Sequence, residues 1–198
     1  MMISELAQLI VLFFVIIDPL ATFTVFMVAS SSMKDGQRKK AAMYAISIAI
    51  VLSGLVLVLG QKLLEIFSTT LDEFRIAGGI ILGILGIKMT LGIPLKNLDE
   101  LKGNSAMAIA SVIGTPLITG PATITAIILS SNDYGRLITG IAVAIVLFFT
   151  GLFLFFSKWF GDFLGRDLIR IISTLLGLIT IAWGVKFITV GIQNIFLG

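Results

Sequence analysis

Asp18-Pro19-Leu20-Ala21-Thr22-Phe23-Thr24 stands in the middle of an apolar run that extends over residues 6–30. A carboxylate followed by proline is out of place there. Proline removes a backbone donor and clashes with the turn before it, and an acidic side chain at membrane depth is costly and functional by default. The pair reads as an N-cap followed by proline at the first helical position. The run is therefore helix, break, new helix. A second stretch, Gly120-Pro121-Ala122-Thr123-Ile124-Thr125, repeats the pattern when one residue is skipped after the first proline. Pro116 lies a turn earlier. Serines follow both stretches, at Ser30-Ser31-Ser32 and Ser130-Ser131.

The surrounding sequence explains why such breaks matter. Of 198 residues, 58% are hydrophobic and 13% charged, and the net charge is +3. Soluble domains carry about a quarter charged residues. This composition excludes an ordinary cytosolic enzyme, a disordered chain and a nucleic-acid binder, even at a pI near 9.3. Cysteine and histidine are absent. Thiolate and histidine metal sites, Ser-His-Asp triads and cysteine nucleophiles are excluded with them.

Apolar runs at residues 4–31, 41–60, 74–92, 105–131, 137–157 and 171–192 each suffice to cross a hydrocarbon core of about 30 Å. Only helices do so with a continuous apolar pattern. The expectation is an all-α polytopic membrane protein with six transmembrane helices. The first run has no basic n-region and is too long for a signal peptide. Ala29-Ser30-Ser31 would suit cleavage but comes late, so a retained span is expected.

Lys34, Arg38, Lys39, Lys40, Lys96, Lys102, Lys158, Arg166 and Arg170 fall on one side of this topology, and Lys62, Arg75 and Arg136 on the other. The positive-inside rule makes the first side cytoplasmic and leaves both termini outside. The basic first loop is also suited to anionic lipid.

A duplication links the halves. Gly79, Gly86, Ile87 and Lys88 share their spacing with Gly177, Gly184, Val185 and Lys186. Together with the two breaks, this predicts two three-helix repeats, residues 1–95 and 105–198, joined by a cytoplasmic linker, 96–104. Three spans per half forces inverted topology, with discontinuous first and fourth helices. Lys88 and Lys186 read as snorkelling to their nearer interfaces. The glycines at 78, 79, 83 and 86 read as packing surfaces.

Half-helices that start at mid-membrane present N–H groups and a positive dipole end to anionic groups. Asp18 caps its own end. Gly120 has no side chain to do so, which leaves the second end for a carboxylate and Asp18 for an ammonium group or a proton. Thr22, Thr24, Thr119, Thr123 and Thr125 either add hydroxyl contacts or bond back to their own helices. A pair of merely kinked helices is the alternative reading.

In these residues the chain resembles the MarC family of six-helix membrane proteins, which includes SnatA-type small neutral amino acid transporters. Phe14-Val15-Ile16-Ile17-Asp18-Pro19-Leu20 fits the first-helix motif, in which the family has Asn-Pro or Asp-Pro. Thr115-Pro116-Leu117-Ile118-Thr119-Gly120-Pro121-Ala122 fits the fourth-helix motif, and Phe74-Arg75-Ile76-Ala77-Gly78-Gly79 the start of the third helix. Ala21 and Ala122 replace family glycines, and Thr24 a family proline. The resemblance implies a cell-membrane secondary transporter of glycine, alanine and similar amino acids, without a cofactor, coupled to protons or sodium. It implies a midplane site from Asp18, Pro19, Leu20, Ala21, Thr22, Thr119, Gly120, Pro121, Ala122 and Thr123, with Asp18 the coupling residue. A channel and a non-transporting structural or regulatory subunit are the competing readings. An intramembrane aspartyl enzyme would need a second mid-span carboxylate, and Glu65, Asp72, Glu73 and Asp162 lie at ends or in loops.

Overall fold

The computed structural model describes residues 2–93, 105–163 and 166–197. The expected linker, with Lys96 and Lys102, lies outside the described residues. Every element described is a helix. In chain order they are α1 (Met2–Ile17), α2 (Pro19–Ala29), α3 (Asp35–Ile66), α4 (Leu71–Thr90), α5 (Ala106–Val112), a π-helical turn (Ile113–Ile118), α6 (Pro121–Asp133), α7 (Arg136–Phe155), α8 (Ser157–Phe163) and α9 (Arg166–Leu197).

Local chemistry sets several boundaries. Glu73 N–H donates to Thr70 Oγ1 at 3.2 Å, and Thr70 N–H donates to Glu73 Oε2 at 2.8 Å, a reciprocal capping box that starts α4. Ser105 accepts from Ala108 N–H at 3.2 Å and starts α5. Gly135, at φ 86°, turns the chain from α6 into α7, a conformation that glycine adopts at no steric cost.

Four helical stretches are long and apolar enough to cross a membrane on their own: Ile3–Ala29, Asp35–Ile66, Arg136–Phe155 and Ile171–Phe196. The other two expected spans fall short for separate reasons. α4 carries Asp72, Glu73 and Arg75 at its start and Lys88 at its end. The stretch from residue 105 to 131 is divided by the π turn and by Thr119-Gly120.

Burial ranks the helices. In the most apolar window of Ile3–Ala29, 72% is buried, against 22% in α3. The α1–α2 pair is thus the axis of the bundle, and Phe13, Phe23 and Phe26 are fully enclosed. Ile50, Val51 and Val58 of α3, Ile80, Ile84 and Ile87 of α4 and Phe148 of α7 face outward. An apolar exterior this broad suits lipid, not water.

α4 and α9 form the most extensive helix pair, and glycine makes their approach possible. A Cβ on Gly79 would sit 2.6 Å from the Gly184 carbonyl oxygen, and one on Gly86 would sit 2.6 Å from that of Gly177. Residue order reverses across the contact, so the helices are antiparallel. The neighbouring Gly78 faces α6, where a Cβ would overlap the Thr125 side chain. Small residues that let backbones touch are the usual means of association in lipid.

Polar contacts tie the two ends. At one end Arg75 donates to Asp133 through Nη1 and Nη2 at 2.9 and 2.7 Å, Arg136 donates to Gln61 at 3.1 Å, and Asn194 donates to Asp72 at 2.8 Å. At the other, Arg38 Nη2 donates to the Ser30 carbonyl at 3.2 Å and Lys158 pairs with Asp35 at 3.4 Å. The first loop and the α7–α8 junction therefore share one end.

Candidate functional site

Asp18 is the single residue between α1 and α2. Its N–H closes the last turn of α1 on the Phe14 carbonyl at 3.1 Å, and its carbonyl accepts from Thr22 N–H at 2.9 Å. Its side chain caps α2, with Oδ1 accepting from Ala21 N–H at 3.1 Å. Serving both helices forces a left-handed backbone, φ 41° and ψ 74°, which Asp and Asn tolerate better than other side-chain-bearing residues. Pro19 at the first helical position needs no N–H partner.

The second break is longer. Thr115 precedes Pro116 and is driven to φ −145°, ψ 118°, because a proline disfavours α geometry in the residue before it. The chain recovers through a wide turn, in which Thr119 N–H donates to the Gly114 carbonyl at 3.1 Å. Gly120 then starts α6 with no side-chain cap, followed by Pro121.

The threonines answer to each other across the two breaks. Thr22 Oγ1 donates to the Ile17 carbonyl at 3.1 Å, and Thr123 Oγ1 donates to the Ile118 carbonyl at 2.8 Å. Each bond reaches back five residues over its break and satisfies a carbonyl that the interrupted helix leaves open. Thr24 and Thr125 bond four residues back, to Leu20 and Pro121, both at 3.0 Å.

Both breaks line one internal cavity of about 180 Å³. Asp18, Ala21 and Thr22 face it from the first, and Gly120, Pro121, Ala122 and Thr123 from the second. Pro19, Leu20 and Thr119, expected among the contacts, do not line it. Thr119 turns away toward α3, its hydroxyl 3.5 Å from the Ala49 carbonyl. Thr24 and Thr125 are directed into their own helices for the reason just given, and they too lie off the cavity.

The Asp18 carboxylate is 4% exposed as a residue, and its Oδ2 has no hydrogen-bond partner among the described residues. Ser173 of α9 approaches this carboxylate, but short of full hydrogen-bond geometry, so its hydroxyl is also unpartnered. Ser173 is the nearest donor to this oxygen, and an oxygen with two lone pairs accepts a second donor as well.

The remaining wall comes from residues that sequence reasoning missed. Ile81, Leu85 and Met89 close the cavity from α4, and Val112 and Leu117 from the fourth span. The spacing of 81, 85 and 89 puts all three on one helical face. That spacing was readable, but nothing distinguished it from the lipid-facing positions beside it. Ser173 stands in an apolar run with no motif around it.

A larger hollow of about 740 Å³ lies between α3 and α7. No charged side chain lines it, and it opens on the lipid-facing side of the bundle. The smaller cavity is the better solute site, because its few polar groups converge within apolar walls. No group of acidic side chains among the described residues is arranged to hold a metal ion.

Comparison with known proteins agrees with this architecture. The chain is 32% identical over 196 residues to the UPF0056 membrane protein YhcE of Escherichia coli, covering 93% of this chain and 90% of the relative. It is 30% identical over 196 residues to a UPF0056 membrane protein of Methanocaldococcus jannaschii, covering 93% and 94%. The UPF0056 membrane protein YvbG of Bacillus subtilis is 27% identical, over 99% of this chain and 98% of its own length. No solved structure matches the chain. The description "MarC family integral membrane protein" matches residues 3–196, and with these relatives it shows that the chain belongs to the MarC family of multi-pass integral membrane proteins.

Proposed function

We propose that this protein is a secondary transporter of small neutral amino acids such as glycine and alanine, working by alternating access in the cell membrane. The observation that carries the reading is the meeting of two helix breaks at one small cavity lined by a single carboxylate. At about 30 Å³ per water, 180 Å³ holds about six waters, or a solute of about as many heavy atoms. That is the size of glycine or alanine.

Recognition follows from the unequal caps. The substrate ammonium group donates to Asp18 Oδ2, which has no other partner among the described residues. The substrate carboxylate accepts N–H groups from the first turn of α6, which no side chain caps. The Thr22 and Thr123 hydroxyl protons are committed to carbonyls, but their oxygens still accept. Ala21 and Ala122 line the cavity with one methyl each, where family glycines would leave more room. This favours the smallest substrates. Proton coupling resides in Asp18, which exchanges its ammonium partner for a proton in the return step.

The six-span, inverted-repeat topology with both termini outside belongs to the same proposal. It is supported by the α4–α9 contact, in which Gly79 meets Gly184 and Gly86 meets Gly177. The repeat pairs Gly79 with Gly177 and Gly86 with Gly184, so the contact is reciprocal, as it is across a two-fold axis. The matched Thr22–Ile17 and Thr123–Ile118 bonds support it as well.

The test is uptake of glycine and L-alanine into proteoliposomes under imposed proton and sodium gradients. Saturable uptake driven by the proton gradient, with that dependence lost in Asp18→Asn, is the expected result. A folded protein that neither binds nor moves either amino acid refutes the reading in favour of a regulatory subunit. Non-saturating flux would make it a channel.

A further inference from the structure

We propose that the groove between α3 and α7 and the basic pocket at its end together form a binding site for one anionic phospholipid. The groove of about 740 Å³ holds the acyl chain, and the pocket of about 380 Å³ holds the phosphate. Phe155 lines both, so the two are neighbours on one face of the bundle.

The dimensions suit a chain. From Gly140 to Phe155 the groove follows α7 for roughly 22 Å at 1.5 Å per residue. This exceeds the roughly 15 Å of one leaflet's hydrocarbon. Gly54 on α3 and Gly151 on α7 hollow its walls. A Cβ on Gly54 would meet nothing within 4 Å.

The chemistry of the pocket suits a phosphate. Arg38, Lys39 and Lys158 line it, and the Lys39 ammonium stands 5.2 Å over the Phe155 ring, at the mouth of the groove. Two buried donors have no partner among the described residues, Ser157 Oγ and Arg38 Nε. Ser157 is 0% exposed. Unsatisfied buried donors are costly and call for an acceptor; both atoms are covered, so a phosphate reaches them as it displaces the side chains over them. One carboxylate, Asp35, also lines the pocket and takes Lys158 at 3.4 Å. It competes with the phosphate for that lysine. Trp159, 67% exposed beside them, is the kind of residue that marks the headgroup level.

Native mass spectrometry of the full-length protein, titrated with phosphatidylglycerol, phosphatidylcholine and glycerol 3-phosphate, tests this. Phosphatidylglycerol is expected to bind more tightly than phosphatidylcholine, and glycerol 3-phosphate only weakly. At about fivefold per basic side chain near the headgroup, Lys39→Gln with Lys158→Gln weakens phosphatidylglycerol about 25-fold and phosphatidylcholine much less, because choline already offsets its phosphate charge. Asp35→Asn strengthens phosphatidylglycerol, a change that general destabilisation does not produce. Gly54→Leu, which fills the groove, weakens both lipids. Equal binding of the two lipids, or indifference to the lysine pair, overturns the proposal. Glycerol 3-phosphate binding as tightly as the lipid overturns it in favour of a soluble phosphate site. A dimer that Gly54→Leu separates overturns it in favour of a second copy of the chain in the groove.

Discussion

Replacing Gly79 by alanine probes the backbone-to-backbone contact of α4 with α9. The new methyl would lie 2.6 Å from the Gly184 carbonyl oxygen, 2.7 Å from Ile188 Cγ1 and 3.0 Å from the Ile188 nitrogen. Two of these partners are backbone, so no rotamer relieves the overlap. Reaching an ordinary contact of 3.4 Å requires α4 and α9 to part locally by about 0.8 Å. A gap of that size forfeits a quarter to a half of each contact's dispersion energy, and overpacking of this kind costs about 1–3 kcal/mol. The gain in helix propensity, at most about 1 kcal/mol, offsets part of it. With the full propensity gain subtracted, the net expectation is a loss of up to about 2 kcal/mol. Gly83 is the internal control, because a Cβ there meets nothing within 4 Å. Its alanine variant should be neutral or stabilised by up to about 1 kcal/mol. Gly79→Ala with Gly184→Ala strikes one contact twice, so the pair should cost at least about 0.5 kcal/mol less than the sum of the singles. Reversible unfolding in mixed SDS and lipid micelles, followed by Trp183 fluorescence on α9, measures all four variants. Equal stability of Gly79→Ala and Gly83→Ala would refute the reasoning.

Other expectations follow from the two joints and the polar ties. Asp18→Asn keeps both the left-handed backbone and the cap and should fold within about 0.5 kcal/mol of the parent; Asp18→Ala loses both and should cost about 2 kcal/mol in the same unfolding assay. Ala122→Leu places a longer side chain in the 180 Å³ cavity and should lower glycine affinity by at least about tenfold in calorimetry, with the fold retained. Asp133→Asn keeps one acceptor for the buried Arg75 guanidinium but removes the countercharge and the bidentate contact, leaving Asp72 at 3.7 Å as its nearest carboxylate, and should cost roughly 1–2 kcal/mol by unfolding. Arg75→Lys should also be destabilised, because an ammonium group cannot make the bidentate contact. The exposed Glu73 carboxylate precedes the apolar run of α4, and hydrogen bonds from the Thr70 N–H and hydroxyl hold it below its ordinary value of 4.5. A lowered folded-state value stabilises above 4.5 and is lost as pH falls through the lowered one. Glu73→Gln should therefore lower stability slightly near neutrality and flatten its fall below about pH 4.5, so that variant and parent converge in acid.

Much of this was legible because a few residues are improbable in an apolar chain. Asp18-Pro19 and Gly120-Pro121 mark both joints, since a cap and a following proline mean a helix start wherever they occur. The shared spacing of the glycines at 79, 86, 177 and 184 reads as duplication, and those of α4 as packing surfaces, but that the two sets meet each other comes from the structure. Other features left no trace. Asp18 reads as an N-cap, but nothing in its neighbours reveals that it also terminates α1 and so takes a positive φ. The threonine hydroxyls could serve a ligand or a carbonyl, and composition does not choose; the structure gives their protons to carbonyls. Which face of an apolar helix turns inward is invisible when every face is apolar, and this hid the wall of Ile81, Leu85 and Met89. The short helix α8, within what reads as a loop, has no periodicity long enough to declare it.

The two joints also differ as mechanical parts. The first consists of one residue clamped by its own side chain, with no slack between the helices it joins. The second spreads its bend from Thr115 to Thr119 and closes through a turn one residue wider than an α-helix. That extra residue is stored length. It can be taken up by a shift of one hydrogen-bond register, which leaves both flanking helices whole. The lowest-cost way to reshape the cavity is therefore to work the second joint against the first, with one serving as fulcrum and the other as the part that yields.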